Sequence, residues 1–177
     1  MNSEIRTPKK IVFMGLDNSG KTSIVLSLKK DVNLLSYYSL TPTHGVDIVN
    51  IETQGKQYSV WDCGGQETYR QEYLKNQNYL SNVDKIIYVI DVQDIERYDT
   101  ALKYLSNLID LLKSRNISVK LSIFLHKFDP NLEEDPNFSD DKIKTNLIDK
   151  IKTIIPSDFE YDIFKTTIYT VFHKIMI

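Results

Sequence analysis

The segment from Gly15 to Thr22 matches the pattern G-x-x-x-x-G-K-[ST] without a gap. Glycines in such a loop let successive backbone amides turn inward and surround an anionic phosphate chain. The ammonium of Lys21 would neutralise the β and γ phosphates, and the hydroxyl of Thr22 would bind Mg²⁺. The loop predicts a nucleoside triphosphate site. Its expected phosphate contacts are Asp17, Asn18, Ser19, Gly20, Lys21, Thr22 and Ser23.

A second motif begins where the strand-like run of residues 58–62 ends in Asp62. Ligands of open α/β sheets bind at the carboxyl ends of strands, so Asp62 is expected beside the phosphate loop, holding Mg²⁺ through its water shell. Gly65 would let a backbone amide approach the γ phosphate, and Gln66 would orient the attacking water. These positions predict in-line hydrolysis, with Gln66 and Lys21 as the catalytic residues.

A third polar segment, Thr41-Pro42-Thr43-His44-Gly45, follows the first predicted helix. A hydroxyl on a mobile loop reaches Mg²⁺ only when the γ phosphate is present, which would make it a sensor of that phosphate. We assign this role to Thr43, as the third expected Mg²⁺ ligand. Thr41 is the alternative if the register is shifted, and a polar turn built on Pro42 is the alternative without a functional role.

A fourth motif, His126-Lys127-Phe128-Asp129, ends another buried strand. The carboxylate of Asp129 would accept two hydrogen bonds from N1 and N2 of guanine, whereas adenine offers no such pair of donors. An unpaired buried carboxylate costs about 1–3 kcal/mol or more, so this residue would act as a filter for the base. The stem of Lys127 would lie over the base plane. The motif is weak alone, and its position after the other three makes it informative.

Composition restricts the classes of protein that fit. The chain has 177 residues, a formal net charge of −2 and one cysteine, Cys63. It is therefore expected to form one domain over residues 1–177, without a disulfide framework, in a reducing compartment such as the cytoplasm. A net charge of −2 does not favour nucleic-acid binding, and no apolar run is long enough to span a membrane. We expect membrane attachment only through a partner or a missing segment.

Apolar runs alternate with segments of helical period, which is typical of an α/β domain. We predict a doubly wound, mostly parallel sheet with one antiparallel edge strand, formed by a hairpin at Gln54-Gly55. The expected strands are 10–14, 46–53, 56–61, 85–90, 119–125 and 161–165, and the expected helices are 22–30, 101–112 and from about 140 until Pro156 stops it. The abrupt end after Ile168 suggests that a closing helix or a following domain is missing.

With these motifs in place, the chain resembles a Ras-superfamily small GTPase, with a P-loop NTPase fold, over nearly its whole length. The stretches 15–22 and 42–45 are similar to the GLDxxGKT loop and PTxG segment of the Arf branch. The stretches 61–66 (WDCGGQ) and 126–129 (HKFD) are similar to the Rag branch. The stretch 164–168 is similar to the Rag segment that stands where other members have SAK, and its Thr167 and Ile168 would contact the base. This mixture resembles the Arf-related GTPases of archaea.

The resemblance implies cycling between GTP and GDP, with switch regions at about residues 40–46 and 64–78. It also implies an exchange factor, a GTPase-activating protein and an effector as partners. A dimer is a further possibility. His126 replaces the asparagine that ties the base site to the phosphate loop, which places more of the guanine specificity on Asp129. No arginine acting in cis is evident from the sequence. Arg70 is better interpreted as structural, so hydrolysis should be slow without a partner.

Three functions remain open on the sequence. The favoured one is a GTP switch that hydrolyses its nucleotide. A GTP-binding scaffold that does not hydrolyse is the second, and Gln66 after two glycines argues against it. An ATP-using P-loop enzyme is the third, and Asp129 argues against it.

Overall fold

The computed structural model describes residues 7–169, which form a six-stranded sheet in the order β2-β3-β1-β4-β5-β6. The strands are β1 (Lys9–Gly15), β2 (Val46–Thr53), β3 (Lys56–Cys63), β4 (Lys85–Asp91), β5 (Lys120–His126) and β6 (Tyr161–Lys165). All neighbouring pairs are parallel except β2 and β3, which run antiparallel at one edge. The predicted fold class is confirmed, including the antiparallel edge strand.

The helices connect these strands on both sides of the sheet. They are α1 (Lys21–Ser27), α2 (Leu34–Tyr38), α3 (Glu67–Lys75), α4 (Tyr98–Ser114), α5 (Asp140–Ile143) and α6 (Asp149–Ile154). A π-helical segment, Lys144–Ile148, joins α5 to α6 so that residues 140–154 form one continuous helical stretch. None of the helices within residues 7–169 is both long and apolar enough to cross a bilayer.

The alternation of side chains along the strands gives the sheet two buried faces. On β1, Val12 and Met14 belong to a large core shared with α4 and the 140–154 helical stretch, whereas Phe13 packs with Ile24 and Val25 of α1 on the opposite face. Since both faces are covered by helices, the central strands can be apolar throughout. This burial fixes the register that brings the ends of β1, β3 and β5 to one edge.

Several helix boundaries differ from the sequence prediction. Helix α1 ends at Ser27 rather than Lys30, because the amide of Leu28 turns back to the carbonyl of Val25 in a tighter final turn. The short helix α2, capped by the side chain of Asn33, was not predicted. Ile148 and Ile154, expected inside, are only partly buried. Residues 170–177, on which the expectation of a missing closing helix bears, lie outside the described residues.

Candidate functional site

The predicted site residues gather at the carboxyl ends of β1 and β3. A cavity of about 350 Å³ lies there, lined by residues 17–18, 20–23, 40–43 and 63–66. A wider depression of about 860 Å³ at the opposite edge, around residues 116–120 and 158–160, contains none of the motif residues. We therefore place the candidate site at the smaller cavity.

The loop after β1 has the backbone that its glycines predict. Gly15 and Gly20 adopt φ values of +140° and +92°, which L side chains rarely adopt. A β-carbon at Gly15 would lie 2.2 Å from the carbonyl oxygen of Val89, and one at Gly20 would lie 2.3 Å from Cδ2 of His126. Ser19 closes the turn by donating to the carbonyl oxygen of Leu16 at 2.8 Å. Only glycine fits at both positions.

Lys21 is the first residue of α1, and its side chain is 5% exposed. Its Nζ donates to the carbonyl oxygen of Leu16 at 2.6 Å. Burial lowers the pKa of this ammonium to about 8, an effect that the carboxylate of Asp62 opposes. A buried cation bordering a cavity is stabilised by an anion in that cavity, so the position suits a phosphate chain.

Three oxygen-bearing side chains meet beside Lys21. Asp62 Oδ2 accepts hydrogen bonds from Thr22 at 2.6 Å and from Thr43 at 3.2 Å, and the two hydroxyl oxygens are 3.0 Å apart. Asp62 is 1% exposed, its Oδ1 has no hydrogen-bond partner among the described residues, and burial raises the pKa of its carboxyl group. An orphaned buried carboxylate oxygen and two hydroxyls are the ligands that Mg²⁺ accepts.

This donor set is sparse for a metal. Across residues 7–169, no three side chains of His, Cys, Asp or Glu come close enough to form a cage for an ion. Mg²⁺ usually combines one or two protein oxygens with waters and substrate phosphates rather than a full protein cage. The residues present therefore fit Mg²⁺ held jointly with a phosphate ligand. The structure brings Thr43 to this point, as expected for the predicted register.

Residues 64–66 bring the segment after β3 against the phosphate loop. A β-carbon at Gly65 would lie 2.1 Å from the backbone nitrogen of Asp17, so the two segments are in direct contact there. Gln66 follows as the residue preceding α3, is half-buried, and borders the cavity. Gly65 and Gln66 therefore both line the cavity beside the phosphate loop.

The two predicted switch regions also contact each other. The carbonyl oxygen of Gly45 accepts hydrogen bonds from the amide of Gly64 at 2.8 Å and from the hydroxyl of Tyr73 at 2.6 Å. His44 Nδ1 and the hydroxyl of Tyr69 are 3.3 Å apart. A displacement of either region would therefore break hydrogen bonds to the other.

The residues predicted to contact a base gather at the ends of β5 and β6. Asp129 accepts from Thr167 at 2.5 Å on Oδ1 and from Gln93 at 2.8 Å on Oδ2. The ammonium of Lys127 is 2.6 Å from Asp91 Oδ2. Ile168 remains 37% exposed. The structure therefore brings Thr167 to Asp129, and it adds Gln93, which the sequence analysis missed.

His126 joins this region to the phosphate loop. It is 3% exposed, its Nδ1 is 3.0 Å from Thr166 Oγ1, and its ring lies against Gly20. Burial lowers the pKa of the imidazole. In place of the asparagine expected at this position, His126 connects the base region to the phosphate loop by packing against Gly20.

Two arginines approach the site. Arg70 donates from Nε to the carbonyl oxygen of Gly65 at 2.9 Å and lies over the ring of Tyr104, which supports its structural interpretation. Arg97 contacts Asp17 through both Nη atoms, at 3.2 and 3.3 Å. Sequence reasoning missed Arg97 because 80 residues separate the partners and no local pattern marks the pair.

The comparisons with known proteins agree with this geometry. The model of the ADP-ribosylation factor (Arf) family matches residues 2–170. ADP-ribosylation factor-like protein 3 of Caenorhabditis elegans is 36% identical over 68% of this chain and 61% of its own length. ADP-ribosylation factor-like protein 2 of Arabidopsis thaliana is 38% identical over 56% of this chain and 50% of its own. The chain thus spans about half to two thirds of these relatives.

A solved structure gives the same fold. The Arl6 BBS3 small GTPase from Trypanosoma brucei, with bound nucleotide analogue GppNp, superposes with a TM-score of 0.70 and 21% sequence identity. The superposition covers 91% of this chain and 87% of the other. The match of the Arf family model to residues 2–170 confirms the Arf side of the resemblance, and the Rag side stays a prediction. The chain belongs to the Arf family of Ras-superfamily small GTPases.

Proposed function

We propose that this chain is a guanine nucleotide switch that binds GTP or GDP with Mg²⁺ and slowly hydrolyses GTP to GDP and phosphate. The observation that carries the proposal is the convergence of the buried ammonium of Lys21 with the hydroxyls of Thr22 and Thr43 and the buried carboxylate of Asp62 beside one cavity. Membership of the Arf family supports a guanine nucleotide as the ligand.

The phosphate end of the site is formed by the loop after β1. Inward-facing amides, the N-terminus of α1 and the ammonium of Lys21 would bind the phosphate chain. Thr22 and Asp62, with Thr43, would hold Mg²⁺, which when bound neutralises charge on the β and γ phosphates. The lowered pKa of Lys21 would rise again on binding, because the phosphates favour its charged form.

Hydrolysis would depend on Gly65 and Gln66. The amide of Gly65 would donate to the terminal phosphate, and the side chain of Gln66 would orient a water in line with the bond that breaks. Thr43 would lose its place when the terminal phosphate leaves, and the hydrogen bonds at Gly45 would carry that change to residues 64–78.

Guanine selection would lie at the other end. The carboxylate of Asp129 would accept from N1 and N2 of the base, while Thr167 and Gln93 orient it. The stem of Lys127 would cover one face of the base. Adenine would leave the carboxylate without a matching pair of donors.

We expect slow turnover, well below about one per second, by the isolated chain. Arg70 and Arg97 are both engaged by protein oxygens, so an arginine from an activating protein would raise the rate by a factor of about 10³–10⁵. An exchange factor and an effector complete the expected partners. The single free cysteine, buried Cys63, suits a cytoplasmic protein that reaches membranes through partners.

Nucleotide binding tests the proposal directly. The full chain should bind GTP and GDP in Mg²⁺ far more tightly than ATP, and Asp129→Ala should remove most of that preference. Equal affinity for GTP and ATP would refute the guanine assignment. The nucleotide released on denaturing the purified protein gives an independent check.

Phosphate release tests the enzymatic half. With GTP bound, wild type should release phosphate slowly and Gln66→Leu should release it at least about tenfold more slowly. Equal rates would remove the role of Gln66. Undetectable release by wild type, even with added activating proteins, would favour a binding scaffold without hydrolysis.

A further inference from the structure

Arg97, the last residue before α4, crosses from the end of β4 to the phosphate loop. Its Nη1 is 3.2 Å from Asp17 Oδ1 and its Nη2 is 3.3 Å from the carbonyl oxygen of Asp17. Its Nε donates to Asp94 Oδ2 at 2.5 Å, and its Nη2 also pairs with that oxygen, so Asp94 orients the guanidinium while Nη2 is shared between Asp94 and Asp17. One fork therefore grips both the side chain and the main chain of a phosphate-loop residue.

Asp17 places a carboxylate at the rim of the proposed phosphate site. Its carboxylate is 49% exposed and its residue borders the cavity that we propose binds phosphates. Gly65, which would donate to the terminal phosphate, touches the backbone nitrogen of Asp17, so Asp17 lies on the terminal-phosphate side. A carboxylate free to turn into the cavity would repel that phosphate.

We propose that Arg97 is a positioning residue that holds the Asp17 carboxylate at the rim of the phosphate loop and so favours binding of the triphosphate over the diphosphate. The inference rests on the proposed function. The main chain of Asp17 is enclosed between Gly65 on one side and Arg97 on the other. Without the fork, the carboxylate can rotate toward the bound anion.

The expected size follows from charge. One unit charge about 6 Å from another in water changes affinity by about threefold, and by more in a partly enclosed cavity. A triphosphate carries one more negative charge and approaches Asp17 more closely than a diphosphate. Arg97→Ala should therefore weaken binding of a non-hydrolysable GTP analogue by about tenfold and of GDP by about threefold.

A double-mutant cycle with Asp17→Asn tests positioning. Affinities of the full chain for the analogue and for GDP are measured in Mg²⁺ for wild type, both single variants and the double variant. Loss of the Asp17 charge should itself tighten analogue binding. In that background, Arg97→Ala should cost less than about twofold. An equal loss in both backgrounds would mean that the guanidinium charge acts at a distance, and would overturn the proposal.

Arg97→Lys keeps the charge but replaces the two Nη donors of the planar guanidinium with one ammonium, which does not reproduce the geometry of the fork. We expect it to weaken analogue binding at least about threefold, and wild-type affinity would overturn the role of the fork. This variant also carries the test if Arg97→Ala does not fold. Lys150→Ala removes the ion pair to Asp99 of α4, 3.1 Å long and involving no residue that lines the cavity, and should leave both affinities unchanged.

Single-turnover phosphate release separates positioning from catalysis. At saturating GTP, Arg97→Ala should release phosphate within about threefold of wild type. A larger decrease with unchanged analogue affinity would make Arg97 a catalytic residue and overturn the positioning role. If wild type binds no guanine nucleotide, the proposed function fails as well. If wild type binds and the cycle is additive, this inference alone fails.

Discussion

The contact between Gly20 and His126 allows the loss of stability in Gly20→Ala to be predicted. In Gly20→Ala, the new β-carbon would lie 2.3 Å from Cδ2 and 2.7 Å from Nε2 of the imidazole, so the ring must move by about an ångström or more. His126 is 3% exposed and bonded to Thr166, so movement risks that hydrogen bond, worth about 1 kcal/mol. The positive φ adds strain of about 1–2 kcal/mol.

Gly55→Ala is the matched control. Gly55 has a φ of +69°, but a β-carbon there would have nothing within 4 Å. Both variants share the backbone strain, and only Gly20→Ala adds the clash. The free energy of unfolding, from urea titration without nucleotide, should fall by about 1–3 kcal/mol more in Gly20→Ala than in Gly55→Ala. Equal losses, or no relief of Gly20→Ala by His126→Ala, would refute the assigned contact.

Three further predictions concern protonation and the switch regions. Burial lowers the pKa of His126, so the unfolded chain binds the proton first. The free energy of unfolding should therefore have its full value above about pH 6.5 and decrease as the pH falls below that, as measured by urea titrations from pH 7.5 to 5.5. His126→Asn should make the free energy of unfolding less dependent on pH. Thr43→Ala should weaken a GTP analogue in Mg²⁺ by about tenfold and leave GDP within about twofold, and equal losses would contradict a sensor role. Tyr73→Phe, which loses the hydrogen bond to Gly45, should lower the free energy of unfolding by about 1 kcal/mol. Tyr69→Phe, at a more exposed contact, should lower it by less than about 0.5 kcal/mol. A larger loss in Tyr69→Phe than in Tyr73→Phe would contradict this assignment of the contacts.

The sequence was sufficient for the sheet and for the phosphate end of the site. Each motif there is a strand, a turn and a short segment, and parallel strands place their carboxyl ends on one edge. Once β1 and β3 pair in register, Lys21 and Asp62 have to meet. The position of Thr43 was less directly predictable from the sequence, because its loop is held by contacts with Thr22 and Asp62 rather than by a local sequence signal.

The parts that sequence reasoning missed depend on distant or marginal contacts. Arg97 contacts Asp17 across 80 residues of sequence, and Gln93 contacts Asp129 across 36. No local sequence pattern marks either pair. Helix α2 has five residues, too short to be stable on propensity, and begins at the Asn33 cap. The π-helical segment Lys144–Ile148 shifts the periodicity, which explains why Ile148 is only partly buried.

His126 shows how one substitution in a motif can preserve a connection by another physical means. Its ring packs against Gly20 of the phosphate loop and bonds Thr166, and the next residue, Thr167, donates to Asp129. A line of partly buried contacts therefore joins the phosphate end to the base end without the asparagine amide. Packing of this kind tolerates little change in volume, because interiors are close-packed. We infer that Gly20 and His126 constrain each other: a larger residue at position 20 requires a smaller one at position 126, and a residue larger than histidine at 126 cannot be compensated at 20, where glycine is already the smallest.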